Sequence, residues 1–208
     1  MTQWVENTGG GRERGPVAIV RAWAEVLRRP RQFFRAGIAP GDQAPGLIFA
    51  SLVVMVEEAS RFLVVELASR GLVSTGPFAY PAIGDFSPGV AVLAVLGIIV
   101  FVTPATVHLT AALQTLLLVP TAPERGGVSE TVQVMCYAMS PCLFAGLPSA
   151  ELRILVTAWG AALYVVGTAV VHEMSVARAA VVAAVPAAIV FGYGFRGFAA
   201  VETFVGGF

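Results

Sequence analysis

Lysine is absent from this 208-residue chain, histidine and cysteine occur twice each, and only 12% of the side chains are charged. Soluble domains carry about 25% charged residues, so a chain this poor in charge could not cover its own surface in water. Hydrophobic residues make up 57% of it and the mean hydropathy is +0.79. Both point to an all-α integral membrane protein. Having arginine as the only basic residue suggests a GC-rich genome and carries no functional weight.

Other absences narrow the function. There is no GxSxG, HExxH or paired-aspartate pattern, and no carboxylate–histidine set of the intramembrane-protease kind. The glycine-rich TGGGRERG lacks the strand and the lysine that a phosphate-binding loop needs. Neither enzymatic activity nor a cofactor is expected, and nucleic acid is not among the expected partners. Cys136 and Cys142 lie six positions apart. In a helix that is a rise of about 9 Å with different facing, and a disulfide needs Cα atoms within about 7 Å. A four-ligand metal site would require His108 and His172 to converge on them, which no spacing favours. Buried structural thiols beside a kink at Pro141 are the expectation. Pro141 leaves the carbonyl of Tyr137 without its helical donor, and protein or water must satisfy it.

Residues 1–15 are glycine- and charge-rich and read as disordered, with no apolar signal-peptide core. Residues 16–40 form an amphipathic, arginine-rich cytoplasmic segment. On a helical wheel Val17, Val20, Trp23, Ala24 and Leu27 gather on one side, opposite Arg21, Glu25, Arg28 and Arg29. Pro30 ends this helix, and Phe33 and Phe34 follow as interfacial anchors. Arg21, Arg28, Arg29, Arg31 and Arg35 suit the segment to an anionic membrane surface. A helix packed beneath the bundle is the alternative. Residues 41–208 then form a five-span membrane domain, with spans at about 45–67, 90–119, 132–147, 152–171 and 179–195. The third and fifth are short for a full crossing.

Arginine placement sets orientation. With the N-terminus in the cytoplasm, the seven arginines before the first span and Arg125 and Arg178 lie inside, against Arg70, Arg153 and Arg196 outside. The expectation is a multi-pass protein of the cell (plasma) membrane with its N-terminus inside and C-terminus outside. The loop around residues 70–88, rich in proline, glycine and aromatics, reads as a compact external cap.

Ionisable groups within spans are the functional candidates. Glu57 and Glu58 lie four and three residues before Arg61, so either can reach its guanidinium. One carboxylate is left over, which suits either a proton or cation site or an internally paired cluster. His108 lies in the second span near Pro104, beside a row of Thr103, Thr106, Thr110 and Gln114 suited to interhelical hydrogen bonding. Gly160, Gly167 and the alanines of the fifth span let helices approach closely.

The order of RRPRQFF, HL in the second span, GGVSETVQVMCYAMSPCLFAGLP, a Trp and a Gly in the fourth span, and HEMSVARAAVVAAVP resembles a known family. It is the prokaryotic, particularly archaeal, branch of the Yip (Ypt/Rab-interacting protein) membrane-domain family. The residues carrying the resemblance include Pro30, Phe33, His108, Gly126, Gly127, Thr131, Tyr137, Pro141, Pro148, Trp159, Gly167, His172 and Ser175. It implies a five-helix membrane bundle with a cytoplasmic N-terminus. Eukaryotic relatives bind Rab-type GTPases, but this chain lacks their Asp-Leu-Tyr-Gly-Pro motif. The functional expectation is a non-enzymatic membrane protein that binds a partner at its cytoplasmic face or organises the bilayer, with a homo-oligomer left open. The alternative is a small transporter or channel subunit using Glu57, Glu58, Arg61 and His108.

Overall fold

The computed structural model describes residues 16–73, 88–122 and 126–206. The expected disordered stretch 1–15, most of the expected external cap and Arg125 lie outside the described residues. Every regular element among them is helical.

Helix α1 (Pro16–Arg28) opens on a proline, whose missing N–H is not needed in a first turn. Pro30 cannot continue α1 and becomes the first residue of α2 (Pro30–Ala36). The buried stripe of α1 is Ala18, Ala22 and Val26, four residues apart, whereas Val17 and Val20 are 71% and 64% exposed. This departs from the expected wheel because side-chain size decides the face: alanines let the backbone close on the bundle. Phe33 and Phe34 are not interfacial anchors. Both are buried, Phe33 edge-on to Tyr137 at 4.8 Å and Phe34 against the flat spot left by Gly167.

Helix α3 (Ala44–Ser69) spans about 39 Å. Helix α4 (Pro88–Gly97), a π-helical turn (Ile98–Val102) and α5 (Thr103–Leu118) form one long apolar rod. The π turn sits just before Pro104, where an added residue relieves the clash of the proline ring with the preceding turn. Thr103 Oγ1 donates to the Ile98 carbonyl there at 3.0 Å. Helix α6 (Val128–Ala138) is followed by a 3₁₀ turn (Ser140–Phe144), and α7 (Ala150–Val171) is capped by Ser149 Oγ accepting from Leu152 N–H at 3.1 Å. Helix α8 (Val176–Ala187), capped by Ser175, runs through Pro186 into a π-helical segment (Ala188–Gly194), and α9 (Gly197–Gly206) ends the described chain.

Three stretches among the described residues are long and apolar enough to cross a membrane: Gly89–Leu118, Ala150–Val171 and Val176–Gly194. Helix α3 has the length but carries Glu57, Glu58, Arg61 and Glu66. The expected third span is instead an 11-residue helix and a five-residue 3₁₀ turn. Their rise of roughly 26 Å falls short of a ~30 Å core.

That short element is the centre of the bundle. Helix α6 packs against α3, α5 and α7, while α1 closes on its 3₁₀ turn and α2 on α7. Residues 131–142 are all buried. The break at Pro141 is satisfied by protein: Ser140 Oγ donates to the Tyr137 carbonyl, and Trp23 Nε1–H donates to the Ser140 carbonyl at 2.9 Å. One turn below, Gln133 forms a reciprocal amide pair with Ala39, donating Nε2–H to its carbonyl at 2.7 Å and accepting its N–H at 3.0 Å. The turn after the 3₁₀ segment lies so close to α3 that a Cβ at Gly146 would overlap the Glu57 carbonyl.

Gly146→Val therefore overpacks a backbone contact that cannot yield, and overpacking costs about 1–3 kcal/mol. A melting temperature lower by on the order of 5 °C in mild detergent is expected. Gly97→Ala, where the new methyl meets open space, should leave it unchanged or slightly higher.

Candidate functional site

Glu57, Glu58 and Arg61 all fall on the buried face of α3, each under 9% exposed. Glu58 and Arg61 form an ion pair across three residues. Glu57 lies within electrostatic reach of two further arginines, Arg153 and Arg196. Arg153, a full turn inside α7, is completely buried. Gly197 seats α9 against Thr157, so close that a Cβ there would lie 2.8 Å from Thr157 Oγ1, and this brings the preceding Arg196 to the same level. Arg196 holds the left-handed backbone conformation, with φ 59°.

The result is an internal cluster of three guanidiniums and two carboxylates at the end of the bundle where α7 begins. Removing such groups from water costs several kcal/mol per ion unless each has partners, which is why they gather here. Sequence reasoning placed Arg153 and Arg196 in external loops. Nothing in the spacing joins residues 57, 153 and 196, but one signal was available: a helix capped at Ser149 puts Arg153 one turn inside it, on the same row as Thr157.

His108 does not join this cluster. It is exposed on α5, where Nδ1 pairs with the Pro104 carbonyl at 2.7 Å and Nε2 with Gln43 Oε1 at 2.9 Å. Gln43 caps α3 fourteen residues before Glu57, so His108 lies about 20 Å along the bundle from the carboxylates. The four candidate residues therefore do not line one continuous path.

The family-pattern residues are mostly packing parts. Pro30 opens α2, Pro141 sits in the 3₁₀ turn, Pro148 precedes the cap of α7, and Ser175 Oγ accepts from Arg178 N–H at 3.3 Å to cap α8. Tyr137 is packed between Phe33 and Phe49. His172 is buried with Nε2 3.3 Å from Thr131 Oγ1, joining α7 to α6. Trp159 is 42% exposed on α7. Cys136 and Cys142 are free and buried, and no group of three metal-ligating side chains gathers among the described residues. Arg21, Arg28, Arg29, Arg31 and Arg35 are all exposed on the outer surfaces of α1 and α2.

Long apolar helices around a buried, broken helix, with ionisable groups kept inside, define a membrane protein that is all-helical among the described residues. The chain matches the Yip1 domain over residues 24–195 and belongs to that family. No curated protein and no solved structure matches it.

Breaking the Glu58–Arg61 pair from one side leaves a buried charge. Arg61→Leu alone is expected to destabilise the bundle by about 3–5 kcal/mol, and the double change Glu58→Leu with Arg61→Leu by clearly less. Unfolding titrations in mixed micelles, run as a double-mutant cycle, read the difference.

Proposed function

We propose that this Yip1-family chain is a non-enzymatic, five-crossing membrane protein of the plasma membrane that holds an acidic protein partner on a rigid cytoplasmic platform. The platform is the α1–α2 pair. The observation that carries the reading is its two-sided construction: Ala18, Ala22, Val26, Phe33 and Phe34 are buried in the bundle, while five arginines face outward. A surface helix held only by the bilayer would have no reason to place its aromatics under α6 and α7. Clustered arginines favour anionic surfaces and bidentate carboxylate contacts.

The remaining crossings are α3, whose charges are internally matched, and the short α6 with its 3₁₀ turn, shielded from lipid by its neighbours as a broken element must be. Arginine placement supports an N-terminus inside and a C-terminus outside. The ordered motifs of the sequence support the prokaryotic branch of the family. A homo-oligomer is compatible with the apolar outer faces of α4 and α8.

Because α1 and α2 are core elements, deleting them would unfold the bundle. The informative variant keeps every buried residue and changes Arg21, Arg28, Arg29, Arg31 and Arg35 to Gln. Affinity purification from the native host in mild detergent, read by mass spectrometry, should give a salt-sensitive stoichiometric partner with the wild type. At least a roughly tenfold smaller yield is expected with the variant at unchanged melting temperature. Equal recovery from both, or a protein recovered alone from both, contradicts the reading.

A further inference from the structure

The rod Gly89–Leu118 is packed very differently along its two halves. In α5, Thr103, Val107, Thr110, Ala111, Gln114 and Leu118 are buried, a row at helical spacing on a helix that packs against α6 and α8. Between residues 89 and 102 only Ala91 is buried, and Leu93, Leu96, Val100 and Phe101 are exposed. The α4 half is apolar enough to sit in lipid, but side-chain packing does little to fix its position.

The change falls at the π-helical turn Ile98–Val102, where the Thr103 N–H donates to the Ile98 carbonyl five residues back. The next bond of that ladder would run from residue 104 to the Ile99 carbonyl, and Pro104 has no N–H to give. Ser51 of α3 reaches this carbonyl instead, its Oγ donating at 3.5 Å, which is long for such a bond. On the other flank of the turn, a methyl group at Gly97 would meet no atom within 4 Å, so no neighbour grips the rod there. A π turn beside a proline, with a glycine before it, is where a helix bends.

We propose that the π turn is a hinge, that α4 is an arm swinging on it while α5 stays seated, and that Ser51 is the latch holding the arm against α3. In lipid a freed carbonyl must find its partner in protein, and Ser51 gives Ile99 one that a small displacement removes. Swinging the arm breaks that long bond and uncovers little buried surface. Moving α5 would instead unseat Val107, Ala111 and Leu118. The arm packs against α3, the helix that carries Glu57, Glu58 and Arg61, so its swing changes what covers that helix and leaves the α5–α6 seam intact. The hinge does not rest on the partner-binding reading.

The test is double electron–electron resonance of the spin-labelled full chain in lipid nanodiscs. Cys136 and Cys142 are buried, so label goes to cysteines introduced at exposed positions. Leu155→Cys on α7 is the reference, paired with Leu93→Cys on α4 or Leu109→Cys on α5, all three sites being exposed. The 93–155 distance distribution should be roughly twice as broad as the 109–155 one. Pro104→Ala, which returns the missing N–H, should narrow the first and leave the second unchanged. Ser51→Ala, which removes the latch, should broaden the first. Equal widths without these changes, or a 93–155 distribution that Pro104→Ala leaves as broad, overturns the proposal. Should Pro104→Ala fail to fold, the comparison of the two pairs and Ser51→Ala decide, and a width unchanged by Ser51→Ala overturns it.

Discussion

In the core of a bilayer no water is present to accept or donate a hydrogen bond, so every backbone group freed by a broken helix must find a partner in protein. The break after α6 obeys this constraint, and much of the architecture follows from it. Proline at 141 removes one donor, Ser140 turns its hydroxyl back to the stranded Tyr137 carbonyl, and Trp23 supplies an indole N–H to the carbonyl of Ser140 itself. Trp23 can do so only if α1 lies against the bundle, which the alanine stripe permits. Gln133 ties the link between α2 and α3 to the same buried helix. The N-terminal helices are thus structural walls around α6, and their outward arginines are presented from a fixed base.

The ionic cluster is a second consequence of the same solvent. A carboxylate pair in α3 would be untenable alone; Arg61 of the same helix pairs with Glu58, and Arg153 and Arg196 come from distant parts of the chain to within electrostatic reach of Glu57. The exposed arginines of α1, α2 and the residue between them stand apart from this buried cluster.

The legible part of this fold was what local chemistry dictates. The helix start at Pro16, the break at Pro30, the kink at Pro141 with its needy carbonyl, and the reach of Glu58 to Arg61 all follow from covalent geometry and spacing. Helix faces were harder. Val17 and Val20 are more hydrophobic than Ala18 and Ala22, yet the alanines are buried, because close helix approach rewards small size over hydrophobicity. Phe33 and Phe34 read as surface anchors because nothing local announces that Gly167 and Tyr137 offer them a seat. Arg153 and Arg196 were counted as loop charges, since only tertiary convergence distinguishes a buried arginine at a helix start from an exposed one. His108 was grouped with the carboxylates on composition alone, and the helix register separates them.

Helices α1 and α2 are walls of the bundle. Hydrogen–deuterium exchange of the full chain in lipid nanodiscs reads this directly, because amides of a packed helix open only with the surrounding structure while those of a helix resting on the surface open locally. Protection over residues 18–35 comparable to that over residues 131–138 is the predicted result. Exchange of residues 18–35 orders of magnitude faster than α6, with α6 still protected, would contradict it.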